Sequence, residues 1–166
     1  MLHYWQTFLV ILKTPFLETE MIWGIVPLYF GWICNELTPS KASYRTAVQT
    51  GFTFLWAGAQ WLFQYAHQRP RSAPVISVDA LLAVNMIVTL LVIAFGLMAF
   101  ISGLRRKFPK YFHFLGHTRF AAYFMVAMFP MQAHYLKWNW DHLVTILLFA
   151  VPVWLVVHLG TMPLRR

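Results

Sequence analysis

A chain of 166 residues that is 60% hydrophobic and only 11% charged, with a formal net charge of +8, is poorly matched to water as a solvent. Its charged fraction is about half that of an average soluble domain. Apolar runs of about 20 residues, the length that crosses a hydrocarbon core of about 30 Å, recur along it and leave no room for a separate soluble domain.

Residues 3–14 are apolar but too short to span a bilayer, and Tyr4, Trp5 and Lys13 sit where an interfacial helix places them. No basic leader or small-residue cleavage site accompanies them, so no cleaved signal peptide is expected. Pro15 is expected to separate this segment from a first span over about 16–35. That span carries Glu18 and Glu20 in its first turn and Pro27 at mid-depth, a kink that neighbouring helices accommodate. Thr38-Pro39-Ser40 reads as a turn, with Ser40 placed to cap the next helix.

A second span is expected over about 45–66, where Gly51 and Ala57-Gly58-Ala59 permit close helix approach. Residues 67–77, with Arg69, Pro70, Arg71 and Pro74, read as a surface loop. The third span, 80–102, has Asn85 as its only strongly polar residue. In the basic stretch that follows, Arg105, Arg106, Lys107 and Lys110 alternate with aromatic rings, a mixture suited to anionic lipid headgroups. Gly116-His117-Thr118-Arg119 then caps a fourth span, 120–136, and brings Arg119 to lipid phosphate. A fifth span, 142–162, carries Pro152. The expectation is one all-α transmembrane domain over residues 1–166, a polytopic bundle of five spans with an N-terminal interfacial helix. Four spans result if residues 1–35 do not form a full one.

With five spans, Lys13, Arg69, Arg71 and Lys137 share one side, and Lys41, Arg45, Arg105, Arg106, Lys107, Lys110, Arg119, Arg165 and Arg166 share the other. The excess of cations sets the second side as cytoplasmic, with the N-terminus outside and the C-terminus inside a prokaryotic plasma membrane. Four of the five carboxylates, Glu18, Glu20, Asp79 and Asp141, fall on the outer side and Glu36 on the inner.

Three kinds of chemistry are open to the side chains. His67, His134, His142 and Asp141 reach similar depth near the outer helix ends, and imidazole with carboxylate is a donor set for zinc or iron. No metal-ligand spacing accompanies them, and ordinary interfacial residues account for the pattern equally well. Axial ligands for a haem or chlorophyll would come from His67, His134 or His158; His158 lies near the inner end and cannot share one macrocycle with the others. Glu18, Glu20, Gln60 and Asn85 are the polar groups from which a transport pathway would be built, although an interfacial place suits both glutamates.

Cys34 is the single cysteine, so no internal disulfide or Cys-x-x-Cys metal site exists, and no hydrolase or P-loop motif is present. Nucleic acid is not an expected partner, because attraction of the cationic rim to anionic lipid explains the net charge.

The stretch Glu20-Met-Ile-Trp-Gly-Ile-Val-Pro-Leu-Tyr-Phe-Gly-Trp-Ile-Cys-Asn-Glu36, with Leu55-Trp-Ala-Gly-Ala-Gln-Trp61 and Gly116-His-Thr-Arg119, resembles small multi-span membrane proteins of prokaryotes. The number of spans is also similar to that of the Yip1-type membrane proteins. The resemblance implies a polytopic helical fold and supplies no mechanism. The functional expectation is a non-catalytic subunit or scaffold of a larger membrane assembly, with other membrane subunits or further copies of itself as partners. The alternatives are a small channel or transporter whose pathway runs through an oligomer interface, and a haem- or chlorophyll-binding subunit.

Overall fold

The architecture is seen in a computed structural model that describes residues 2–37, 44–68, 80–105 and 119–164. Among these residues the chain is all α, with no strand. The described residues form six α-helices in order: α1 (Leu2–Leu17), α2 (Thr19–Leu37), α3 (Tyr44–Gln68), α4 (Ala80–Arg105), α5 (Arg119–Gln132) and α6 (Trp140–Thr161), followed by a 3-10 turn at Met162–Leu164.

Pro15 lies inside α1 rather than at its boundary. It cannot supply the N–H that would bond the Ile11 carbonyl four residues back, and the helix ends two residues later, with the break at Glu18. The Glu18 carbonyl accepts the Met21 N–H at 2.9 Å and starts α2. Phe8, Ile11 and Pro15 recur at three- and four-residue spacing and form the buried stripe of α1. Phe8 stacks on Phe149 of α6 with ring centroids 4.4 Å apart.

Helix α2 packs against α1, α3, α5 and α6. Its buried residues Met21, Gly24, Ile25, Leu28 and Trp32 again follow helical spacing. Phe129 of α5 lies over Gly24, where an added Cβ would come within 2.5 Å of the ring. Trp56 of α3 donates its indole N–H to the Gly24 carbonyl at 3.1 Å.

Helices α3 and α4 are joined by small residues that place backbone against backbone. A Cβ added at Gly51 would stand 2.5 Å from the Phe100 amide nitrogen and 2.8 Å from the Gly96 carbonyl oxygen. One added at Gly103 would stand 2.9 Å from the Tyr44 carbonyl oxygen, and one at Gly58 would collide with Ile93. Gly51 and Gly58 thus permit close approach, with Gly96 and Gly103 as counterparts on α4.

The end of α5 explains why the helix stops at Gln132, four residues short of the expected span limit. His134 takes φ 63°, the left-handed conformation that glycine or asparagine usually supplies after a helix. Its N–H donates to the Met131 carbonyl at 3.1 Å, and the Tyr135 N–H donates to the Pro130 carbonyl at 3.0 Å. These are the two bonds of a Schellman cap. Residues 133–139 then turn into α6, where the Asn139 side chain accepts the His142 N–H at 2.7 Å and caps the new helix.

Two stretches, Ala83–Arg105 and Trp140–Thr161, are long and apolar enough to cross a membrane. Only 22% and 17% of their most apolar windows are buried. Ile87, Leu90, Leu91 and Phe95 on α4, and Leu147, Val151, Leu155 and Val156 on α6, face outward. The core helix of a soluble domain has the opposite distribution.

Candidate functional site

Glu20 opens α2 at the end of the bundle where α3 and α5 finish. Its carboxylate oxygen Oε2 accepts the Tyr135 hydroxyl at 3.1 Å, and its carbonyl accepts Gln64 Nε2 at 3.3 Å. Three chain segments therefore fix this one residue. Beside it lies an open cleft of about 410 Å3 lined by Glu20, Trp23, Gln60, Phe63 and His67. The ring of His67 packs on that of Phe63 with centroids 3.9 Å apart, and its Nδ1 lies 2.9 Å from the Phe63 carbonyl. A carbonyl only accepts, so Nδ1 carries the hydrogen, and in the neutral ring Nε2 is left as an acceptor. Trp23 is 79% exposed at the edge of the cleft.

On another face of α3, between α3, α4 and α5, Trp61, Asn85 and Gln132 line a second cavity with Tyr65, Thr89 and His134. Its volume of about 10 Å3 has room for one water molecule. Trp61 Nε1, Asn85 Nδ2 and both side-chain polar atoms of Gln132 are buried and have no hydrogen-bond partner among the described residues. A third cavity, lined by Gly31, Asn35, Thr50 and Thr53, is too small to hold a water molecule.

The expected sites are distributed as follows. Glu20 and Gln60 from the transport set meet in the cleft, and His67 from the metal and cofactor sets joins them. Glu18 is exposed at the break between α1 and α2, and Asn85 lies in the smaller cavity. His134 faces the Tyr65 ring with centroids 5.5 Å apart. His142 Nδ1 is 2.8 Å from the Lys137 carbonyl, and Asp141 is 3.7 Å from His3. Among the described residues no three His, Cys, Asp or Glu side chains come together as a metal set. Of the cationic headgroup set, Arg105 is exposed in the last turn of α4 and Arg119 opens α5. Arg106, Lys107 and Lys110 lie outside the described residues, as do Ser40, Asp79 and His117.

His158 is drawn into a pair that sequence reasoning missed. Its Nδ1 lies 3.4 Å from Oε2 of Glu36, a carboxylate with no solvent exposure at all, joining the last turns of α2 and α6. The expected first span, about 16–35, stops one residue short of Glu36. A signal was present: an acid in the last turn of a helix opposes the macrodipole and needs another source of stabilisation. Trp23, Phe63 and Tyr135 carried no comparable signal, because an exposed aromatic at a helix end is ordinary at an interface.

Comparison of the chain with protein-family models, curated proteins and solved structures finds no match.

Proposed function

We propose that this chain is an integral membrane protein in which α2 to α6 provide five spans. In this reading it serves as a non-catalytic subunit or scaffold of a larger membrane assembly, or as a homo-oligomer. The observation that carries the reading is the inside-out character of α4 and α6, whose large apolar side chains are turned outward along their length. In water that arrangement would leave a contiguous apolar surface far beyond what soluble monomers tolerate; in lipid it has no such cost.

The interior supports a scaffold over a self-contained channel. Among the described residues, the cavity lined by Gly31 and Thr53 is closed and that lined by Trp61 and Gln132 holds about one water, and the glycine contacts draw α3 and α4 together until backbone meets backbone. The cationic stretch around 103–119 is proposed to face the cytoplasm and the Glu20 cleft the outer leaflet. Extraction of native membranes with alkaline carbonate should leave the protein in the pellet. Mass measurement after purification in mild detergent should give an assembly heavier than the 19.4 kDa chain with its detergent. A protein released by carbonate overturns the membrane reading, whereas a monodisperse monomer overturns the subunit reading alone. Labelling of Lys110→Cys, in a Cys34→Ala background, by an impermeant maleimide added outside sealed cells would reverse the orientation.

A further inference from the structure

The cleft beside Glu20 has a composition that selects for charge. Its lining offers the Glu20 carboxylate, the Gln60 amide oxygen and Nε2 of His67 as acceptors, and the rings of Trp23 and Phe63 as π faces. No lysine or arginine is among these lining residues. Such a set attracts a cation bearing N–H donors, through charge-assisted hydrogen bonds and cation–π contact. It repels a phosphate. The Tyr135 hydroxyl holds one carboxylate oxygen, so the carboxylate is oriented before any ligand arrives.

A second feature gives the ligand a shape. Below Glu20, the exposed residues Trp23, Val26, Phe30 and Ile33 follow one another at three- and four-residue spacing down α2. This spacing makes a continuous apolar stripe that starts at the cleft and runs for about 15 Å at 1.5 Å per residue. Phe63 and Phe52 are exposed on α3. A charged head at Glu20 with a hydrocarbon chain on the stripe satisfies both parts at once.

We propose that the Glu20 cleft binds the ammonium head of a single-chain amphiphile, a long-chain primary amine without phosphate, with its tail along the Trp23, Val26, Phe30 and Ile33 face of α2. This inference rests on the membrane reading, since the stripe is a lipid-facing surface only there.

The test uses the full chain in phosphatidylcholine nanodiscs, titrated with labelled hexadecylamine against empty nanodiscs. Saturable binding of one amine per chain is expected, with no competition from hexadecanol. Glu20→Gln should weaken it at least tenfold while leaving the thermal midpoint unchanged, because the amide oxygen still accepts from Tyr135. Gln60→Leu should weaken it several-fold, and Glu18→Gln, outside the lining, should not. Equal retention by Glu20→Gln and Gln60→Leu overturns the proposal. So does competition by phosphatidylethanolamine with no saturable binding of the free amine, which would make the site one for a phospholipid headgroup. A failure of the membrane reading is read separately, as release by carbonate.

Discussion

Replacing Gly51 with alanine tests the α3–α4 contact where it is closest. The new Cβ would stand 2.5 Å from the Phe100 nitrogen and 2.8 Å from both the Phe100 Cα and the Gly96 oxygen. All three are backbone atoms, so no side chain can rotate aside. To reach the 3.4 Å at which ordinary contact begins, the helices must part by about 0.9 Å at this point. A gap of that size forfeits a quarter to a half of the dispersion energy of neighbouring contacts. Overpacking of this kind costs about 1–3 kcal/mol, against a helix-propensity gain of up to about 1 kcal/mol for glycine to alanine. The expected net loss for Gly51→Ala is therefore about 1 kcal/mol, and Gly51→Val, with two more methyl groups, should lose about 3 kcal/mol. Gly160 is the internal control, since a Cβ there meets nothing within 4 Å, and Gly160→Ala should be neutral or slightly stabilising. Reversible unfolding by SDS in mixed micelles, followed by circular dichroism, gives the ordering. A Gly51→Ala protein as stable as the parent, or a Gly160→Ala protein less stable than it, would show that the glycine contacts do not set the packing of α3 on α4.

Three further outcomes follow from particular contacts. Tyr123 donates its hydroxyl to the Ile146 carbonyl at 2.9 Å in a buried position, so Tyr123→Phe should lose about 0.5–1.5 kcal/mol in the same unfolding assay. Glu36 and His158 should be coupled: in a double-mutant cycle with Glu36→Gln and His158→Gln, an interaction energy of about 0.5–3 kcal/mol is expected, and additive losses would show that the pair contributes no coupling. His134 occupies the left-handed position of the α5 cap, which costs a non-glycine residue about 1–2 kcal/mol, so His134→Gly should raise the unfolding midpoint; a lowered midpoint would mean that the contact with the Tyr65 ring outweighs the backbone strain.

What the sequence made legible follows from which forces act locally. Helix content was legible because apolar runs bounded by Pro39, Pro70 and Pro109 leave the backbone few other solutions, and α2 to α6 begin and end within a few residues of the expected limits, apart from the early stop of α5. The close approach of α3 and α4 was half legible: Gly51 and Gly58 announce a small-residue face, but the residues they meet, Gly96 and Phe100 for Gly51 and Ile93 for Gly58, could be chosen only once the antiparallel register was fixed. The two misplaced boundaries have local causes that periodicity does not register. At Pro15 the helix runs two residues past the proline before it breaks, and after Gln132 a histidine, His134, takes a conformation for which glycine is the usual marker.

The cleft was legible in its polar members and not in its assembly. Glu20, Gln60 and His67 stand out because hydrocarbon disfavours them, so a polarity scan finds all three. That scan cannot tell that Glu20 meets Gln60 and His67 across a single groove while Glu18, two residues away, does not line it. Glu18 falls at the break between α1 and α2 while Glu20 lies in the first turn of α2, and the contacts of Gln64 and Tyr135 hold Glu20 at the cleft. The same logic explains Glu36. Its burial depends on α6 running far enough to bring His158 alongside, a distance of 122 residues in sequence that no local pattern encodes. Where a polar side chain in an apolar helix lacks a neighbour of its own kind nearby in sequence, its partner must come from tertiary contact, and in this chain the ends of α2 are where those contacts gather.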